Sequence, residues 1–393
     1  MTDTLRIEVA EDSLFGPGNL PYGVFAPSGG DFRVGVRLGD AVLDLAALLE
    51  DSTFAAPTLN AFLAQGPARW REIRDRLRER VEGELPTAAV HSVHSVRLRL
   101  PVEIGDYVDF YASIDHASNL GRLLRPDSEP LLPNWRHLPV GYHGRSGTVV
   151  VSGTDIVRPA GQRRTPSGTP DFGPTQRLDI EAELGFVVGA GSQLGERIGT
   201  AEFAEHVFGV ALINDWSARD IQGWEYQPLG PFLGKSFATS MSAWITPLAA
   251  LEQARVPLPG QEPEPLPYLR ERESWGLDLD LAVHWNGELV ARPPYRRMYW
   301  SPAQMLAHMT VNGASTRTGD LYASGTISGP ERDQRGSFME LSWGGSEPVA
   351  VNGEKRTFLE DGDEVVITAT APGADGRRIG LGEVGGRILP ARN

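Results

Sequence analysis

A chain of 393 residues, 40% hydrophobic and 22% charged, has a soluble globular composition. Single cores stop growing near ~250–300 residues, so two domains or more are expected. The formal net charge of −14 argues against nucleic acid or an anionic membrane as the main partner, and the lack of cysteine excludes disulfides, thiolate zinc sites and cysteine nucleophiles.

The opening residues, Met1 to Leu5, carry no basic stretch followed by an apolar one, so no secretory leader is expected. No apolar run approaches the ~20 residues that span a bilayer, which makes a cytoplasmic protein the expectation. The 45 glycines and 30 prolines cut the chain into short segments, a pattern of strands and turns. Tyr22–Phe25, Arg33–Leu38 and Ala41–Leu45 read as short strands. Leu59, Phe62, Leu63, Trp70, Ile73, Leu77 and Val81 then recur at helical steps, and predict one helical stretch. Its other face (Arg71, Glu72, Arg74, Asp75, Arg76, Arg78, Glu79) reads as solvated and salt-bridged. Val93–Leu100 reads as a strand closed by Pro101, and a domain boundary is placed there: 1–101 and 102–393. Beyond it, Thr148–Ser152, Leu178–Val188, Phe208–Ile213, Leu277–Trp285 and Glu364–Ala369 are strands by β-branched content and alternation, with a short helix at Phe203–His206. Residues 252–270 form a proline-rich surface loop, and Asp361-Gly-Asp363 reads as a structural turn.

Three segments carry chemistry. In Leu178–Val188, strand alternation sets Asp179, Glu181 and Glu183 on one face. Two readings are open: a solvated outer face, or a site for a hard cation. The apolar run Phe208–Ile213 ends in Asn214-Asp215 and a polar helix start, where Arg219 and Gln222 share a face. Asp215 is either a rigidly held ligand or a helix cap. Asp109, Tyr111 and His116 place acid, phenol and imidazole within eight residues. Lys235 lies in a glycine-containing run without Walker A spacing, so nucleotide binding is rejected.

Five strings (Asp109–His116, Pro133–Arg145, Asn214–Asp220, Gln227–Ser236 and Ala323–Gly329) resemble the fumarylacetoacetase family, in order and almost without gaps. The likeness runs from Asn19–Phe25 to the C-terminus. It implies a mostly β (α+β) fold: a small N-terminal SH3-like β-barrel module and a C-terminal mixed β-roll. It also implies a homodimer, and metal ligands at Asp109, Glu181, Glu183 and Asp215 for Ca²⁺ or Mg²⁺. A second ion is implied near Asp215, Lys235 and Thr239. His116 is the implied general base, poised by Glu340; Arg219, Gln222 and Lys235 are the implied oxyanion donors. Tyr111, Arg125, Tyr142, Gln222, Tyr226 and Thr326 are the implied substrate contacts. The implied reaction is hydrolysis of a carbon–carbon bond in fumarylacetoacetate, the last step of tyrosine and phenylalanine breakdown. Gly223 departs from the animal pattern, which tends to a second Gln there. Acylpyruvate hydrolase or 2-oxo acid decarboxylase activity is the enzymatic alternative; a β-rich binding or scaffold protein is the non-enzymatic one.

Overall fold

The computed structural model describes residues 3–165 and 167–392. The first module comprises strands β1 (Tyr22–Ala26), β2 (Arg33–Leu38) and β3 (Ala41–Asp44), helices α1 (Asn60–Leu63) and α2 (Pro67–Arg80), and strands β4 (Val90–Ser92) and β5 (Arg97–Arg99). Its strands pair antiparallel in the order β4-β3-β2-β1-β5, the layout of a small SH3-like barrel. The single helix expected over 59–81 is two. Gly66 at φ +83° and Pro67 at the first turn of α2 interrupt the ladder. Val93–Leu100 is likewise no single strand, because residues 93–95 form a 3₁₀ turn capped by Ser92. Nor does Arg74 belong to a solvated face: it is buried, and donates to the carbonyls of Gly18 (2.6 Å) and Asn19 (3.0 Å).

The second module begins with β6 (Tyr107–Phe110), α3 (Ile114–Leu124), β7 (Gly141–His143), β8 (Val149–Val151), β9 (Ile156–Val157), β10 (Leu178–Asp179) and β11 (Ala182–Val188). It continues with β12 (Val207–Asp215), β13 (Ser217–Ala218), α4 (Arg219–Glu225), β14 (Thr239–Met241) and β15 (Trp244–Pro247). The last elements are β16 (Asp280–Trp285), β17 (Glu288–Ala291), α5 (Pro302–Thr310), β18 (Leu321–Ala323), α6 (Phe338–Leu341), β19 (Glu364–Pro372) and β20 (Arg378–Leu389).

Pairing of β1 with β15 runs the first module's strands into a mixed sheet ordered β15-β12-β11-β18-β6-β7. Within it β18 and β6 are parallel and the other neighbours antiparallel. A second sheet, β9-β20-β19-β16-β17, packs against it to complete the β-roll.

Side-chain alternation then decides the interior. Leu184, Phe186, Val210 and Leu212 enter the core shared with the second sheet and α5, while Val187, Ala211 and Ile213 enter the core shared with the first module. Both faces of β11 and β12 are therefore covered, which is why β12 reads as an unbroken apolar run. The solvated-face reading of Glu181 and Glu183 falls for the same reason: the pair is 5% and 0% exposed. Leu178–Val188 is also not continuous. Ile180 and Glu181 leave the ladder between β10, which pairs with β13, and β11, which pairs with β12. A similar break at Asp278-Leu279 precedes β16.

Candidate metal centre and acid–base pair

Four acids converge where strand ends meet. Asp109 sits in β6, Glu183 in β11 and Asp215 at the end of β12, while Glu181 occupies the break before β11. The Asp215 amide donates to the Glu181 carbonyl at 3.1 Å, which sets those two side by side. One oxygen from each of the four carboxylates lies within 4.8 Å of the others, and all four residues are buried.

Charge balance inside this cluster is incomplete. Lys235 Nζ donates to Asp215 Oδ2 at 2.7 Å and to Glu181 Oε2. Arg219 Nη1 lies 2.7 Å from Glu181 Oε1. Thr239 Oγ1 donates to Asp215 Oδ1 at 2.7 Å. Asp109 Oδ1 and both oxygens of Glu183 have no partner. A buried carboxylate without one costs several kcal/mol, and normally gives up its charge unless a cation joins it. Burial, and then the neighbouring Asp215, pushes Asp109 well above the usual carboxylate range; burial, Asp109 and Glu181 do the same to Glu183. Burial would raise Glu181 too, but Lys235 and Arg219 outweigh it and hold it well below that range. Oxygen-only donors, with three atoms left unpaired, fit a hard divalent cation.

Beside the acids stands an imidazole–carboxylate pair. His116 lies in the first turn of α3, where its amide donates to the capping Ser113 hydroxyl at 3.3 Å. Its Nδ1 is 2.7 Å from Glu340 Oε2, and its ring packs edge-on to Tyr111. Glu340, in α6, also accepts from Asn119 Nδ2 (3.0 Å), Ser328 Oγ (3.0 Å) and Ser337 Oγ (2.8 Å). Burial alone would raise this carboxyl, yet His116, Asn119 and Ser337 hold it below its ordinary value. An ionised Glu340 makes Nδ1–H a donor to it, so Nε2 is the ring nitrogen turned away from the carboxylate.

Arg219 opens α4 and serves three partners. Its Nε donates to Asp179 Oδ2 at 2.8 Å, Nη1 reaches Glu181, and Nη1 also donates to Gln222 Oε1 at 3.1 Å. Nη2 is buried with no partner, and so is Thr326 Oγ1. A cavity of about 320 Å³ reaches Asp215, Lys235, Thr239 and Tyr142 from outside, bounded by Phe232. Tyr142 lies across the β6–β7 ladder from Asp109. Arg125 is half-buried and lines a second cleft of about 680 Å³ with Arg122 and Arg136, while its charge still acts on Tyr111. Tyr226 ends α4, its hydroxyl accepting from Gln227 Nε2 at 3.1 Å. Gly223 is exposed, and a Cβ there would meet nothing within 4 Å, so its departure from the animal pattern bears on helix α4 more than on the pocket.

Buried carboxylates gathered as for a cation, an imidazole–carboxylate pair and a guanidinium with a free N–H are the side chains that metal-assisted hydrolases use. Residues 107–388 match the sequence profile described as fumarylacetoacetate (FAA) hydrolase C-terminal, and residues 18–101 that of fumarylacetoacetase N-terminal. Fumarylacetoacetase of Homo sapiens is 48% identical over 413 residues, spanning 98% of each chain, and that of Arabidopsis thaliana is 44% identical over 414 residues, again 98% of each. A solved fumarylacetoacetate hydrolase from Exiguobacterium antarcticum shares the fold at a TM-score of 0.58 and 18% identity, over 95% of this chain and 100% of its own. Maleylpyruvate hydrolase from Sphingobium sp. SYK-6, solved with manganese(II) and pyruvate, does so at 0.56 and 16%, over 95% and 100%. The chain belongs to the fumarylacetoacetate hydrolase family.

Four polar residues of this region had no role assigned from the sequence. Asn119, Ser328 and Ser337 surround Glu340, and Asn214 Oδ1 accepts from the Glu181 amide at 3.2 Å. Each comes from a different element or an irregular loop, and no local pattern marks it. Asp179 was visible as an acid but assigned to the Glu181–Glu183 face; the break at 180–181 sends it elsewhere.

Proposed function

We propose that this chain hydrolyses the carbon–carbon bond of fumarylacetoacetate to fumarate and acetoacetate. The observation that carries the reading, beyond family membership, is the buried four-carboxylate cluster with three unpaired oxygens, held on one side by Arg219, whose Nη2 is free. Asp109, Glu181, Glu183 and Asp215 would hold a divalent ion, which when bound supplies Lewis acidity for the diketone oxygens. His116 Nε2 takes a proton from water as the water oxygen adds to the ketone carbon next to the scissile bond. Glu340 stabilises the imidazolium so formed. Arg219 and Lys235 donate to the oxyanion, with Gln222 alongside, each worth roughly 3–4 kcal/mol where comparable donors are removed. Collapse of the adduct breaks the carbon–carbon bond; its electron pair leaves as the acetoacetate enolate, which takes the proton back from His116. Tyr111, Arg125, Tyr142, Gln222, Tyr226 and Thr326 are proposed to hold the ends of the dianion. Thr239, with Asp215 and Lys235, is proposed for a second ion.

The same reading takes Ca²⁺ or Mg²⁺ as the ion, a homodimer as the assembly, the cytoplasm as the location, and residue 101 as the domain boundary. Among the described residues no helix is long and apolar enough to cross a membrane. The test is loss of fumarylacetoacetate absorbance with purified protein and Mg²⁺ or Ca²⁺. Turnover of an acylpyruvate without turnover of fumarylacetoacetate would overturn the proposal.

A further inference from the structure

Asp179 is wholly buried and belongs neither to the acid cluster nor to the imidazole pair. Four donors converge on it. Oδ1 accepts from the amides of Ile180 (2.8 Å) and Phe338 (2.7 Å); Oδ2 accepts from the Met339 amide (3.1 Å) and from Arg219 Nε (2.8 Å). Phe338 and Met339 begin α6, whose next residue is Glu340. One carboxylate therefore grips the guanidinium of Arg219 and the backbone that carries Glu340.

Its surroundings leave it little play. Pairing of β10 with β13 sets Asp179 opposite Ser217, two residues before Arg219, and the Arg219 amide donates to the Arg177 carbonyl at 2.9 Å. Phe338 is fully buried and stacks on Trp285 of β16 with centroids 4.2 Å apart, which pins α6 from the other side. With Nε held by Asp179 and Nη1 by Glu181 and Gln222, the guanidinium plane is fixed and Nη2 is aimed. Glu340 is held in turn by Ser337, Ser328 and Asn119, and it orients His116.

We infer that Asp179 is a positioning residue which ties the oxyanion donor Arg219 to the base pair His116–Glu340, so that both face the reacting carbonyl in one register. This rests on the roles assigned to Arg219 and His116 under the proposed function. A carboxylate suits the task better than a neutral acceptor, because it can take three amides and a charged Nε–H at once. Misplacing a donor or base by about 1 Å costs on the order of 100-fold in rate, so a residue that touches neither substrate nor water can still set kcat.

The decisive variant is Asp179→Asn, which keeps the volume but presents an N–H₂ group to two of the four donors. In the metal-loaded enzyme, kcat should fall by about 10- to 100-fold with KM changed less than about 3-fold. The loss should be less than multiplicative with that of Arg219→Ala. Guanidinium ion added to Arg219→Ala should restore part of the activity, and should fail to do so in the Asp179→Asn/Arg219→Ala double variant. Independently of turnover, the Arg219 Nε–H proton should be downfield and protected from exchange in the wild type. In Asp179→Asn that protection should vanish and the His116 ring resonances should move, although Asp179 does not contact His116. Unchanged His116 resonances and wild-type kcat in a folded Asp179→Asn protein would overturn the inference and leave the proposed function standing. Wild-type protein that does not turn over fumarylacetoacetate would overturn the proposed function, and the two resonance measurements would still decide the role of Asp179. If Asp179→Asn does not accumulate folded, rapid exchange of the Arg219 Nε–H in the wild type overturns it.

Discussion

Glu183 offers the sharpest test of the cation site, because the residue should harm the protein without an ion and help it with one. Both of its oxygens are buried without a partner, and burial, Asp109 and Glu181 raise its carboxyl well above its ordinary 4.5. With the ion chelated away, the folded protein must take up a proton there that the unfolded chain releases. Stability from this group is therefore complete below pH 4.5 and lost as pH rises from that value. At pH 7 the loss is bounded by about 3 kcal/mol, the cost of protonating an ordinary glutamate at that pH. Glu183→Gln removes it. Unfolding entropy of ~2 cal/mol/K per residue converts that bound to a rise in Tm of about 3–4 °C for a chain of this length. Excess Mg²⁺ or Ca²⁺ at 100 times Kd should then stabilise the wild type by about 2.7 kcal/mol and the variant by much less. The assay is thermal unfolding in chelator and in saturating metal, at pH 4.5, 6 and 7.5. A variant less stable than wild type in chelator at pH 7.5, with the metal increment unchanged, would refute a cation role for Glu183.

Three further outcomes follow from the same geometry. His116→Ala should lower kcat by 10²-fold or more while leaving metal affinity intact, as read by steady-state kinetics and calorimetry. Glu181→Gln removes a carboxylate shared by Lys235 and Arg219, so calorimetry should show weaker metal binding; an unchanged affinity would take Glu181 out of the site. Outside the site, burial pushes Glu271 up to about 7, with Ser301 and Ser274 offsetting only part of the effect. Its contribution to stability is lost as pH rises from 4.5 toward 7, so Glu271→Gln should gain about 3 kcal/mol over wild type at pH 8 in denaturant unfolding, and nothing at pH 4.

The amino-acid sequence by itself determined the class of fold, the short-strand architecture and the family. Glycine and proline punctuation, period-two alternation and long specific strings are local signals, and they survive folding: β1, β2, β8, β12 and β19 lie where the pattern put them. Local signals also located individual candidates such as Asp215, at the end of an apolar strand. They left open whether the Glu181–Glu183 pair met water or a cation. That choice belonged to tertiary structure, since only packing of the first module on one face of β11 and the second sheet on the other removes the solvent. The same holds for Arg74, whose partners Gly18 and Asn19 lie more than 50 residues away. It holds most of all for Asp179. Two residues from Glu181, it belongs on any strand pattern to the same face; the break at Ile180-Glu181 turns it instead toward Arg219, 40 residues on, and toward the Phe338 and Met339 amides of α6, 159 and 160 residues on. Contacts at that separation depend on where whole elements come to rest, and no periodicity within a window of ten residues encodes them.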